Sequence, residues 1–180
     1  MISDSIYYTS MDSPFGEILI AKNSLGLCHI SFEEDPNRKS PEVEGWCFDP
    51  EGFKETLAQL GAYFNGDLYH FDLPLAPAGT PFQLQAWYAL QMIPYGETIS
   101  YAELANKIGR PRAARAVGAA NGKNPLPIVI PCHRVIGSDG SLTGYAGGIH
   151  IKEALLALER RGRVRMNQLQ MFTEFRTNLR

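Results

Sequence analysis

The sequence predicts an α+β protein in two parts, and three observations predict it. Extended segments between Tyr7 and Ile30 are cut by turn signals, helix starts and stops crowd the second half, and the charge reverses between the halves. The 180 residues carry a net charge of −2, yet residues 1–80 hold 13 Asp+Glu against 4 Lys+Arg and residues 81–180 hold 6 against 13. The halves therefore stand at −9 and +7. A chain of this length buries one substantial core or two small ones sharing an interface.

The elements follow in order. Ser13-Pro14-Phe15-Gly16 and Asn23-Ser24-Leu25-Gly26 punctuate strands that form a small antiparallel sheet. Residues 33–50 mix Pro, Glu, Asp and Gly and read as a loop. Apolar residues at 53, 57, 60, 63 and 64 keep helical spacing, with Asn65-Gly66 as the stop. Phe71 to Leu75 is a short extended piece, and Pro77-Ala78-Gly79-Thr80-Pro81 is the linker, so the boundary falls near residue 78, where the charge reverses. Thr80 caps a helix with Pro81 at its first position, running through Met92. Ser100 and Glu103 make a capping box opening a helix through Ile108. Gly109-Arg110-Pro111 breaks the chain before an alanine-rich helix from Arg112 to Asn121. Ile128-Val129-Ile130 reads as a strand ending at Pro131, and a glycine-rich turn (137–148) leads to a final helix from about Ile149 to Arg160. The expected domains are 1–78, 79–162 and a basic tail, 163–180.

Several function classes fall away. No stretch has the length and apolarity of a bilayer span, and Met1-Ile2-Ser3-Asp4 lacks the basic and apolar blocks of a secretory signal, so the expected address is the cytoplasm, or the nucleus in a eukaryote. Cys28, Cys47 and Cys132 match neither a disulfide framework nor a zinc pattern. Cys28 and Cys47 read as structural, and no metal is expected.

Two constellations carry chemistry. The helix pair around Gly109 forms a helix-turn-helix pattern whose second helix has Arg112 and Arg115 but few side chains that read base edges. Its smooth surface admits close approach to a duplex without sequence preference, in the minor groove; tight packing against another helix is the alternative. The basic half suits a polyanion. Pro131-Cys132-His133-Arg134 places a thiol in a charged turn, a candidate nucleophile because positive neighbours or a base raise the thiolate fraction. Adjacent side chains on an extended backbone point apart, so His133 needs a turn or a water to reach Cys132. Glu159, beside Leu158 on the last helix, is the candidate carboxylate to orient His133, or else a solvated surface residue.

Pro131-Cys132-His133-Arg134-Val135 with Asn124-Pro125-Leu126-Pro127-Ile128 before it closely resembles the O6-alkylguanine-DNA alkyltransferases. So do Arg112-Ala113-Ala114-Arg115-Ala116-Val117-Gly118, Gly144-Tyr145-Ala146-Gly147-Gly148 and Lys152 through Glu159. The resemblance runs from Gly79 to Gly162, and more loosely through an N-terminal ribonuclease-H-like domain before a mainly helical, winged-helix-like one. It implies that Cys132 accepts the alkyl group of O6-alkylguanine irreversibly, that His133 is its base through water, and that Glu159 orients His133. It implies Asn124 as the brace of the active-site turn and Tyr101 as proton donor to the purine. Arg115 would replace an extruded nucleotide, with Arg112, Ala114, Gly118 and Ala119 on the DNA face. Val135, Tyr145, Ala146 and Gly147 would line the base pocket. No cofactor is implied, O4-alkylthymine is admitted as a second substrate, and the partner is alkylated double-stranded DNA bound by a monomer. The presence of Cys132 separates the chain from alkyltransferase-like damage binders, which replace that cysteine.

Overall fold

A computed structural model describes residues 5–33, 35, 44–145 and 147–177, and the α+β class holds there. Strands β1 (Tyr7–Ser13), β2 (Gly16–Asn23) and β3 (Gly26–Phe32) pair antiparallel in the order β3-β2-β1. Central β2 is buried on both faces through Ile18, Leu19, Ile20 and Ala21, which explains its unbroken apolar run. The loop expected over 33–50 contains a short strand, β4 (Cys47–Phe48), parallel to β1; two residues are too few for periodicity to reveal. Of the two cysteines read as structural, Cys28 is half-buried on β3 and Cys47 is exposed on β4.

Helix α1 (Lys54–Phe64) follows a single turn at Pro50–Phe53 and packs Leu60 and Tyr63 inward. The segment 71–76 then returns along β3, where Leu27 N–H donates to Pro74 O at 2.8 Å and Ala76 N–H to Leu27 O at 2.7 Å. Gly26 permits this approach: a Cβ there would sit 2.3 Å from the Pro74 carbonyl oxygen.

In the second half, α2 (Pro81–Gln91) and α3 (Tyr101–Lys107) each start with a complete capping box, Thr80/Gln83 and Ser100/Glu103. Helix α4 (Ala114–Asn121) starts two residues later than expected, because Ala113 N–H donates to Arg110 O at 2.8 Å and closes a turn instead. A two-stranded parallel pair joins β5 (Ile99–Ser100) to β6 (Val135–Ile136).

Two expectations fail here. Ile128-Val129-Ile130 is not a strand but a tight buried turn, with Ile130 N–H donating to Leu126 O at 2.8 Å. Prolines at 125, 127 and 131 remove the donors a ladder needs, and the apolar run serves the core instead. The last helix, α5, runs from Ile149 to Thr177 rather than stopping near Arg160, so residues 163–177 of the basic tail are helical; Arg180 lies outside the described residues. Gly162 does not break it, because the absent side chain makes room for Tyr95.

The two halves share one apolar core, in which Ile18, Phe32, Leu60 and Tyr63 join Trp87, Leu104, Val117, Ile128 and Leu155. Among the described residues no helix is long and apolar enough to cross a membrane.

Candidate active site

The site forms where a helical turn (Cys132–Arg134) meets the buried side of α5. The chain arrives there through a braced loop. Asn124 Nδ2 donates to Ile130 O at 2.8 Å, while its Oδ1 accepts from Leu126 N–H at 3.1 Å. Within this loop Ile128 has φ 75°, the only positive φ of a non-glycine among the described residues. A β-branched residue held there costs about 1–3 kcal/mol, so the buried packing and the Asn124 brace hold a strained turn. Asn121 on α4 adds a bond from Nδ2 to Cys132 O at 3.2 Å.

The turn solves the geometric problem of adjacent residues, since Cys132 and His133 sit on a helical turn rather than an extended strand. Cys132 is buried, and burial pushes its thiol up to about 11, opposed by a hydrogen bond from Asn124 and the charge of Lys152. The activation by positive neighbours expected from sequence is therefore outweighed. Arg134 does not serve the thiol at all: its Nε and Nη2 donate to Glu159 at 2.9 and 2.8 Å, and Nη1 donates to Ile93 O at 2.6 Å.

His133 is fully buried and its Nε2 donates to Glu159 Oε1 at 2.9 Å. That fixes the tautomer with Nδ1 as acceptor, and Nδ1 is buried without a protein partner. Burial lowers the imidazole pKa, with Glu159 opposing, so His133 is neutral and able to take a proton at neutral pH. Glu159 is also fully buried; burial would raise its carboxyl, but the hydrogen bond from His133 and the Arg134 guanidinium hold it well below the ordinary range. The solvated-surface alternative for Glu159 is thus eliminated. Gly96 N–H donates to Glu159 Oε2 at 2.9 Å and Tyr63 Oη to Oε1 at 2.8 Å.

Sequence reasoning missed three contributors. Tyr63 comes from the acidic half, and nothing in its helical spacing distinguishes it from a core aromatic. Lys152 is fully buried, with Nζ donating to Val135 O at 2.6 Å and Thr143 O at 2.8 Å. Burial lowers its pKa, opposed by Cys132. Asn121 is only a helix end in the sequence; its place on the last turn of α4, just before Gly122, is the available signal.

Around this centre, the β5–β6 pairing brings the start of α3 beside the cysteine turn. Tyr101 Oη donates to Thr143 O at 3.1 Å, with the Lys152 ammonium 5.9 Å from its ring centroid. Tyr145 lies edge-on to His133 at 6.5 Å between centroids, and its hydroxyl is enclosed without a partner. Val135 spends its N–H on Cys132 O, and Lys152 occupies one lone pair of its carbonyl. Gly147 packs on β3: a Cβ would lie 2.5 Å from the Phe32 ring. Ala146 lies outside the described residues. Arg115 and Ala119 are exposed on α4 and Arg112 in the turn before it, with Ala114 and Gly118 half-buried, so this face is not packed against another helix. A cavity of about 460 Å³ between residues 69–77 and α2 reaches Arg134 but is lined by none of Cys132, Tyr101 or Tyr145; it lies behind the chemistry and is not the pocket for a base.

A buried thiol, a histidine oriented by a carboxylate and an exposed basic helix pair define a cysteine-dependent protein of the nucleic-acid-binding kind. Models of the 6-O-methylguanine DNA methyltransferase match in two stretches, the ribonuclease-like domain over residues 6–77 and the DNA-binding domain over residues 81–161. Methylated-DNA–protein-cysteine methyltransferases of Methanosarcina barkeri and Mycolicibacterium paratuberculosis are 54% and 51% identical, covering 86% and 87% of this chain and 97% and 93% of theirs. The crystal structure of Mycobacterium tuberculosis OGT in complex with DNA is similar with a TM-score of 0.80 at 49% identity, covering 87% of this chain and 94% of that one. The chain belongs to the 6-O-methylguanine DNA methyltransferase family.

Proposed function

We propose that this chain repairs O6-alkylated guanine in duplex DNA by moving the alkyl group irreversibly onto its own Cys132. The observation that carries the reading is the buried Cys132-His133 pair with His133 Nε2 fixed on Glu159, which leaves Nδ1 as the open base. In the transfer step the sulfur forms a bond to the alkyl carbon as the bond from that carbon to O6 breaks. The thiol proton passes to His133 Nδ1 through a water, the O6 oxygen keeps the electron pair, and the purine ring takes a proton from Tyr101. The thioether has no hydrolytic exit, so each molecule acts once. No cofactor enters this balance.

The O6 atom is unreachable for in-line attack inside the stack, so the base is extruded, and Arg115 on exposed α4 takes its place. The small outward residues of α4 support a sequence-independent, minor-groove approach, with Arg112 on phosphate. Asn124 braces the turn, and Val135, Tyr145, Ala146 and Gly147 bound the base. The second lone pair of the Val135 carbonyl is free to accept an exocyclic amine. O4-alkylthymine, which presents the same alkoxy group, is a second substrate on this reading. The protein acts as a monomer, in the cytoplasm or nucleus with its DNA, and its working units meet near residue 78; the edges of the two family matches, 77 and 81, support that division.

The test is intact mass after mixing with an O6-methylguanine oligonucleotide duplex. Wild type gains one methyl group, mapped to Cys132, and Cys132→Ser gains none while still binding the duplex. A methyl group on any other residue, or on Cys132→Ser, overturns the assignment.

A further inference from the structure

Glu159 has more donors around Oε1 than lone pairs to receive them. His133 Nε2 at 2.9 Å, Tyr63 Oη at 2.8 Å and Arg134 Nη2 at 2.8 Å all converge on that one oxygen, and a carboxylate oxygen offers two lone pairs. Tyr63 Oη also lies 3.5 Å from His133 Nε2. The phenol is 1% exposed and is held by the rings of Phe64, Phe71 and Tyr95 at centroid distances of 5.7, 5.2 and 6.2 Å. It projects from α1, in the acidic half, which also meets the site where Phe32 packs on Tyr145 and where Ile30 N–H donates to Pro125 O at 2.8 Å.

We infer that Tyr63 is a positioning residue for alkyl transfer: by competing with His133 for Glu159 Oε1, it is the means by which the N-terminal sheet-and-helix unit sets the basicity of the histidine that takes the thiol proton. The inference rests on the reading of His133 as base to Cys132. Burial and the neighbouring Glu159 raise the Tyr63 pKa well above its ordinary value, so the phenol stays a donor at every working pH. A permanent donor on Oε1 draws off part of the charge that would otherwise stabilise a protonated imidazole. The remaining groups facing the pair are Arg134, Lys152, Tyr95, Tyr145 and Cys132, and the first two oppose protonation of His133 through their positive charge. Without the Tyr63 hydroxyl, Glu159 keeps Arg134 and the Gly96 N–H, so it stays in place while its hold on the imidazolium strengthens.

The test is Tyr63→Phe, with Phe64→Leu as the packing control. Single-turnover transfer from an O6-methylguanine duplex is followed from pH 5 to 9, and His133 is titrated by NMR in the free protein. Tyr63→Phe is expected to move the acid limb and the His133 titration upward by about half to one pH unit. The rate then falls by about 3- to 10-fold on the acid limb and changes little at pH 8. Phe64→Leu lowers stability and leaves the limb in place. A Tyr63→Phe profile that superimposes on wild type, or drops uniformly at all pH values, overturns the inference and makes Tyr63 a packing residue. A shifted His133 titration with a pH-independent wild-type transfer rate overturns the base assignment instead, and with it the link from Tyr63 to transfer.

Discussion

At Cys132 the decisive quantity is the cost of burying a thiolate. With its pKa pushed up to about 11, the thiol is protonated at neutral pH, and transfer there depends on His133 taking its proton as the alkyl group moves. Two pH dependences should therefore separate. Alkylation by a small neutral electrophile, which does not engage the base, should be slow at pH 7 and rise about tenfold per pH unit toward 11. Transfer from the alkylated base should be flat through neutrality and decline only below the depressed pKa of His133, since protonation removes the acceptor at Nδ1. Stopped-flow with both substrates checks this, and a small-electrophile rate already level by pH 8 would contradict the burial argument. Residue type and spacing offer Cys132, His133 and Glu159 as candidates but leave Glu159 open to a solvated face; the fold buries it against His133. The partner of Arg134 was not legible: sequence put its charge beside the thiol, whereas the buried carboxylate 25 residues on outbids the thiol for it.

Among the elements, α5 shows how one glycine is read differently in sequence and in space. Gly162 lies just past the helix end expected near Arg160, but the helix continues through it and lays its bare backbone against Tyr95. An alanine Cβ would sit 2.5 Å from the Tyr95 hydroxyl oxygen, and that ring is fixed by Tyr63, Tyr69 and Arg134. Overpacking costs about 1–3 kcal/mol, against about 1 kcal/mol that alanine returns in helix propensity. Gly162→Ala should therefore lower the melting temperature, the reverse of the usual outcome at an exposed helical glycine. Thermal unfolding by circular dichroism decides it. The capping boxes of α2 and α3 were legible because they are local patterns of four residues. The 124–131 turn was not, because Ile128-Val129-Ile130 has strand composition and only its flanking prolines and burial force it to curl.

For the whole molecule, the charge reversal sets the long-range behaviour. The half at +7 exposes Arg115 on α4 and Arg112 just before it, with Lys107, Arg110 and Lys123 exposed around the same helix pair. Binding to undamaged duplex should weaken steeply as salt rises, with log affinity linear in log salt at about −0.9 per neutralised phosphate. Arg115→Ala should reduce transfer from duplex far more than transfer from a free O6-methylguanine base, since only the duplex requires extrusion. Fluorescence anisotropy against salt and paired single-turnover rates provide the measurement; a flat salt response, or equal losses on both substrates, would remove the role given to this face.

The sequence by itself determined what is local or compositional: the α+β class, the capped helices, the charge split, and the residue types of the thiol, imidazole and carboxylate. Only the tertiary structure decided what depends on three-dimensional neighbours. It put Glu159 out of water and paired it with Arg134, it buried Lys152 at the cysteine turn, and it brought Tyr63 across 96 residues onto the carboxylate of the other half. The physical reason is that hydrogen bonding and desolvation act through space, between residues whose separation along the chain carries no periodic signal.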